Sequence, residues 1–207
     1  MFLQFSPNML KTYELCPRKF YYKYVKKISM PVNDDIFEFG KNIHALASYY
    51  LRKENITEME LALTPKEKAV WEYLKGLKYL GYEVINTEYN LAVKIGEYFF
   101  GGRLDALVKD NGRYYILDYK TGSAPKNAKY DFQTIIYLLA VKHFFKTDEV
   151  TFVYLDLKNK DELKIELTLE LEETYRKRLL ETAEKICSEE IPPKKQNCNC
   201  EYSLICY

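Results

Sequence analysis

The chain has 207 residues and a mass of 24.6 kDa, with 47% hydrophobic and 29% charged residues, which excludes a disordered polypeptide and leaves room for one buried core. Lysine and arginine number 31 against 30 acidic residues, a net charge of +1 and a pI of about 7.5, so any nucleic-acid surface has to be a local patch. No apolar run is long enough to cross a bilayer, and Met1-Phe2-Leu3-Gln4-Phe5 lacks the basic flank and apolar stretch of a secretion signal; the expectation is a cytoplasmic protein with reduced thiols.

Ser6-Pro7 reads as a helix cap followed by proline in the first turn, and Asn8 to about Val25 carries apolar and basic residues at helical spacing. Pro17 splits this stretch into two short helices. Lys11, Arg18, Lys19, Lys23, Lys26 and Lys27 alternate here with Tyr13, Phe20, Tyr21, Tyr22 and Tyr24, a mixture that suits phosphate contact with base stacking or a solvated basic helix face. Phe37, Ile43, Leu46, Ala47 and Tyr50 predict a helix from Ile36 to about Leu51 with His44 in its middle. Thr64-Pro65-Lys66-Glu67 is a capping box, opening a helix expected to reach Leu80 and stop at Gly81.

After Gly81 the composition turns β-branched and aromatic. Strands are expected over Val84–Ile95, Tyr98–Val108 and Arg113–Tyr119, the last two joined through Asn111-Gly112 as an antiparallel hairpin. A helix from Lys129 to Phe145, strands at Val150–Leu157 and Leu163–Leu167, and a helix from Glu170 to Ser188 complete the order. The fold class is therefore α/β, a mixed central sheet flanked by helices. We expect one domain over residues 1–207, with a mainly helical part at 1–80, the sheet and its helices at 81–190, and a polar, cysteine-bearing tail at 191–207.

One hairpin carries the strongest chemical signal, Gly101-Gly102-Arg103-Leu104-Asp105 followed by Leu117-Asp118-Tyr119-Lys120. Asp105 interrupts an apolar strand, and Asp118 and Lys120, two apart on the next strand, share a face. Carboxylates at such positions persist when paired or metal-bound, so the group reads either as a salt bridge or as a Mg²⁺ or Mn²⁺ site able to support phosphodiester hydrolysis.

Several segments resemble, in order, the motifs of the RecB-like PD-(D/E)XK nucleases, and most closely the CRISPR-associated Cas-four exonucleases. Ser6 to Phe20, with Cys16-Pro17 before a basic-aromatic run, is similar to that family's start; Gly40-Lys41-Asn42-Ile43-His44 resembles its Gly-x-x-x-His; Asp105 and Asp118-Tyr119-Lys120 resemble its acidic residue and (D/E)-x-K; Gln133 and Tyr137 resemble its Gln-x-x-x-Tyr. The resemblance covers essentially the whole chain and implies a restriction-endonuclease-like core. It also implies metal ligation by His44, Asp105, Asp118 and the Tyr119 carbonyl, catalysis by Asp105, Asp118 and Lys120, and positioning of DNA by Gln133 and Tyr137.

The five cysteines are Cys16, Cys187, Cys198, Cys200 and Cys206. In a reducing compartment such clustering suits metal before disulfide, iron–sulfur or zinc, once Cys16 is drawn to the tail. The resemblance implies an iron–sulfur cluster held by Cys16, Cys198, Cys200 and Cys206, 4Fe–4S in preference to 2Fe–2S, with Cys187 a buried core thiol. Cys198-Asn199-Cys200 departs from the family spacing by one residue, and Asn197 stands where a cysteine is expected.

The implied function is a Mg²⁺- or Mn²⁺-dependent deoxyribonuclease, an exonuclease with endonuclease action open, working on single-stranded ends or flaps. The implied setting is CRISPR spacer acquisition, with CRISPR adaptation proteins or a helicase as partners. A stand-alone repair, recombination or viral single-strand endonuclease would carry the same motifs. A non-catalytic subunit that holds DNA ends would have no need of Asp105, Asp118 and Lys120 together.

Overall fold

A computed structural model describes residues 4–30, 35–195 and 200–206, the side chains of 35–37 excepted. Phe37, expected on the apolar face of its helix, therefore lies outside the described side chains. The first described elements are a two-residue strand β1 (Gln4–Phe5) and helix α1 (Pro7–Leu15), whose cap Ser6 accepts from the Met9 N–H. Cys16 leaves the helical conformation before Pro17, so α2 (Pro17–Phe20) starts anew and relaxes into a π-helical turn over Tyr21–Val25. Helices α3 (Asp35–Leu51), α4 (Thr57–Ala62) and α5 (Pro65–Lys75) follow.

The Thr64–Glu67 capping box is formed as expected, but α5 ends at Lys75 instead of Leu80. Gly76, a poor helix former, closes it, and Leu77 turns extended before a 3₁₀ turn at Lys78–Gly81 that buries Tyr79 and Leu80. Burial of those two side chains against the sheet outweighs the gain from a longer helix. The short α4 and β1 have no counterpart in the sequence-based expectation.

Strands β2 (Glu83–Ile95), β3 (Tyr98–Asp110) and β4 (Arg113–Lys120) run antiparallel; helix α6 (Phe132–Phe145) crosses to β5 (Val150–Asp156), which lies parallel to β4; β6 (Asp161–Glu166) and α7 (Leu169–Ser188) finish the core. Asn111 and Gly112 both have positive φ, 46° and 84°, as a tight two-residue turn between twisted strands requires. Strand β3 is the spine. It pairs with β2 along one edge and, on the other, with β1 at Phe99–Phe100 and with β4 from Ala106 to Asp110. One face of the sheet packs on α1, α6 and α7 through residues such as Phe100, Leu107, Ile135, Phe152 and Leu179; the other packs on α3 and α5 through Leu46, Trp71, Val108, Leu117 and Val153. Among the described residues no helix is long and apolar enough to cross a membrane.

Gly101 on β3 pairs with Ala92 on β2. A Cβ there would overlap the Leu91 carbonyl oxygen and come 2.8 Å from the Ala92 Cα. Gly101→Ala is expected to cost about 1–3 kcal/mol, because the strands must part to admit the methyl. Thermal unfolding checks this: an unchanged Tm would mean that β2 can shift freely.

Candidate active site and metal centre

The site forms where β3 and β4 separate. Their ladder runs from the Asp110–Arg113 pair to the Ala106–Leu117 pair, while β4 stays paired to β5 as far as Lys120. At the split Asp105 substitutes a side chain for the missing backbone partner: its Oδ2 accepts the Tyr119 N–H at 2.9 Å. A backbone donor left open by the diverging strands thus orients the first carboxylate.

On the other edge of β3, the Thr87–Ala106 and Tyr89–Leu104 pairs flank Glu88 and Asp105. Tyr89 and Leu104 pack on the α6 side, whereas Ala106 packs with the α3 layer and Thr87 bonds Ser48 of α3, so the strands change facing across this pair. Glu88 accommodates the change with a φ of 49°, a strained value for a residue with a Cβ. Ligand atoms of Glu88, Asp105 and His44 lie within 4.8 Å of one another, the one such group of three found among the described residues. Sequence alone puts Glu88 in the strand before Asp105 but leaves its register open, so it stands outside the expected site. Counting back pair by pair from a tight Gly96-Glu97 turn would have placed it opposite Asp105.

His44 reaches this point because Gly40, one turn earlier, lets α3 lie against the turn after β4; a Cβ at Gly40 would meet Thr121 Oγ1 at 3.1 Å. Its Nε2 lies 2.7 Å from the Tyr119 carbonyl and its Nδ1 3.2 Å from Asp105 Oδ1. Burial alone would lower the imidazole pKa, but the bond to Asp105, the Asp105 charge and the Tyr119 carbonyl together raise it. The same Asp105 and Tyr119 acceptors would suit a cation bound beside a neutral His44.

Asp118 and Lys120 share the α6 face, as two-residue spacing on a strand predicts. Gln133 joins them: its Nε2 donates to Asp118 Oδ1, and its Oε1 accepts from Lys120 Nζ at 3.3 Å. The Lys120 ammonium is ion-paired with the buried Asp118 Oδ2 at 2.7 Å. Burial and the nearby Asp105 charge push the Asp118 carboxyl up to about 6, against the lowering effect of Lys120. Gln133 owes its position to Asp131, which caps α6 by accepting the Gln133 N–H at 2.8 Å and pairs with Lys11 at 2.8 Å. Tyr137 is buried, one turn on, and donates to the Arg103 carbonyl at 2.8 Å; a Cβ on Gly102 would come 2.9 Å from its hydroxyl oxygen.

Above these groups opens a cleft of about 810 Å³ that carries both His44 and Asp105 and the cationic side chains of Lys41, Arg52, Arg103 and Lys120. Arg103 is ion-paired with Glu88 at 2.8 Å. Carboxylates, an imidazole and a backbone carbonyl make a donor set suited to Mg²⁺ or Mn²⁺, and the ligand atoms of His44, Glu88 and Asp105 lie close enough together to share one ion.

The proposed cluster ligands are spread differently. Cys16 is buried, Cys200 and Cys206 are partly exposed, and Cys198 lies outside the described residues; Cys187, expected as a buried core thiol, packs against the core but is only half-buried. The tail docks on the segment after Cys16. Arg18 donates to the Pro192 carbonyl at 2.7 Å, Lys19 pairs with Glu201 at 2.9 Å, Tyr22 donates to the Ile205 carbonyl at 2.9 Å, and Tyr202 donates to the Ile28 carbonyl at 2.8 Å.

Comparison with known proteins bears on the whole of this arrangement. A family profile described as the PD-(D/E)XK nuclease superfamily matches residues 4–77 and 66–207. No curated protein sequence matches the chain. Among solved structures, a protein from Eubacterium rectale, described provisionally as an exonuclease, superposes with a TM-score of 0.59 at 12% identity over 96% of this chain and 86% of its own. The structure of SSO0001 aligns at 20% identity over 99% of this chain and 85% of its own, with a TM-score of 0.49. The profile spans nearly every residue, and the mixed sheet with helices on both faces is the fold it requires: the chain belongs to the PD-(D/E)XK nuclease superfamily.

Proposed function

We propose that this protein is a Mg²⁺- or Mn²⁺-dependent deoxyribonuclease acting on single-stranded ends or flaps. The observation that carries the reading is the convergence of Asp105, Asp118 and Lys120 where β3 and β4 part, beneath a cleft with cationic walls. His44, Asp105, Asp118 and the Tyr119 carbonyl would hold the cation; the ligand atoms already within 4.8 Å of one another are those of His44, Glu88 and Asp105, while Asp118 stands with Lys120 and Gln133 on the α6 side. When bound, the cation supplies Lewis-acid neutralisation of phosphate charge. The ammonium of Lys120, restrained by Asp118 and Gln133, donates to a phosphate oxygen or orients the attacking water. Gln133 fixes both Asp118 and Lys120, and Tyr137 fixes the β3 backbone at Arg103, so this pair positions the site from below.

The same reading takes residues 1–207 as one nuclease domain in a cytoplasmic setting. Its tail, 191–207, carries Cys198, Cys200 and Cys206 to Cys16 for an iron–sulfur cluster. Docking of the described tail residues on Arg18, Lys19 and Tyr22 supports that closure. CRISPR spacer acquisition, with adaptation proteins or a helicase as partners, suits a trimming enzyme with no nucleotide-binding phosphate loop of its own.

The test is cleavage of 5′- and 3′-labelled single-stranded and duplex DNA with Mn²⁺, Mg²⁺ or EDTA. Cutting should require the cation and fall about 10²–10³-fold in Lys120→Ala. The labels give polarity. Failure of folded, metal-supplied protein to cut any of these substrates would move the assignment to a subunit that holds DNA ends for another nuclease.

A further inference from the structure

Beyond His44, Glu88 and Asp105 the cleft runs along one face of α3, past Ser48 one turn after His44, to Arg52 directly after the helix ends, and Tyr49 borders the opening. Arg52 is held far more firmly than an ordinary surface arginine. Its Nε donates to Glu54 at 2.5 Å, and its Nη1 reaches Ser48 Oγ at 3.2 Å and Thr87 Oγ1 at 3.4 Å. Ser48 in turn donates to Thr87 at 2.9 Å, so α3 and β2 are tied together beneath it. The guanidinium carbon sits 4.7 Å from the centre of the Tyr49 ring, while 37% of Tyr49 remains accessible. Among the described residues Arg52 Nη2 has no protein partner.

A stacked, partly open aromatic ring beside a pinned guanidinium with one donor left over is the combination that binds a base and its adjoining phosphate. Glu54 neutralises much of the Arg52 charge, so the fixed geometry and not bulk attraction is what the pair offers.

We infer that Tyr49 and Arg52 form a nucleotide subsite of the cleft, in which an unstacked base lies on Tyr49 and Arg52 Nη2 contacts the neighbouring phosphate. The inference rests on the nuclease reading and deepens it. His44 and Arg52 are separated by about 12 Å along the helix axis, which places the subsite roughly two to four nucleotides from the scissile phosphate. A base inside a duplex cannot reach Tyr49 without leaving its stack, so the subsite selects single strands.

The experiment uses single-stranded oligonucleotides, cut with Mn²⁺, in which one abasic nucleotide is moved stepwise away from the cut. In the wild type the abasic site should raise KM about tenfold or more at one position only. Tyr49→Ala should raise KM for the intact strand by the same factor and erase the position dependence; Tyr49→Phe should retain both. Arg52→Gln should shallow the logarithmic salt dependence of binding by about 0.7, the loss of one phosphate contact. A Tyr49 and Arg52 with only structural roles would leave the abasic profile identical in wild type and Tyr49→Ala, and that result overturns the subsite. Wild-type protein that cuts none of these strands overturns the nuclease reading itself, a failure distinguishable from coincident profiles in an active enzyme.

Discussion

Asp118→Asn is expected to lose cleavage about 10³-fold or more and, in the metal-free protein at pH 7–8, to unfold at a higher temperature than the wild type. Both effects have one cause. Asp118 is 3% exposed, and burial with the Asp105 charge raises its carboxyl pKa to about 6 from an ordinary value near 4, in spite of the ion pair with Lys120. A carboxyl raised on folding destabilises the fold wherever it is ionised in both states, and the cost fades as pH falls from about 6 towards the unfolded value. Asparagine removes that cost, a gain of about 1–3 kcal/mol at neutral pH that should vanish near pH 4. Added Mn²⁺ should raise the wild-type Tm and move the variant far less, since binding to the folded state alone stabilises it. Calorimetry across pH, with and without cation, decides. A variant less stable than wild type at pH 7–8 would mean that Asp118 is held mainly by Lys120 as a structural ion pair.

If the proposed cluster is present, the wild type should be brown and Cys16→Ala colourless, with stability lowered by about 2–5 kcal/mol, the range for losing a cross-link that closes a long loop. Cys16 is 2% exposed at the break between α1 and α2, and the tail reaches the next turns through Tyr202, stacked on Tyr22 with centroids 5.7 Å apart. Cleavage per folded molecule should change much less than stability, because the site groups stand on β3, β4, α3 and α6. Cys187→Ala should keep the colour. Iron content and absorbance of both variants, with their unfolding curves, are the measurement; unchanged colour and stability in Cys16→Ala would remove the cluster from this protein.

Much of the site was legible because its residues violate local expectation. An aspartate inside an apolar strand, a second one two positions before a lysine, and Asn111-Gly112 between them specify a hairpin whose charges need a partner, and the register around that turn follows from side-chain alternation. Glu88 was not legible by the same rule. Its φ of 49° breaks the alternation that would reveal its facing, and a strand carrying a local switch cannot be read by period alone.

By itself, then, the sequence determined the order of the longer helices and strands, the hairpin with Asp105, Asp118 and Lys120, and the helix bearing His44, because caps, turn dipeptides and periodicity act over a few residues. Only the tertiary structure decided the rest. The split between β3 and β4 that turns Asp105 towards the Tyr119 N–H, the reach of Gln133 from α6 to Asp118 and Lys120, the end of α5 at Lys75 and the docking of Tyr202 near Tyr22 join residues far apart in the chain. Such contacts form only after distant elements have packed, where burial of Tyr79 or Tyr202 outweighs local propensity and no short-range pattern records the result.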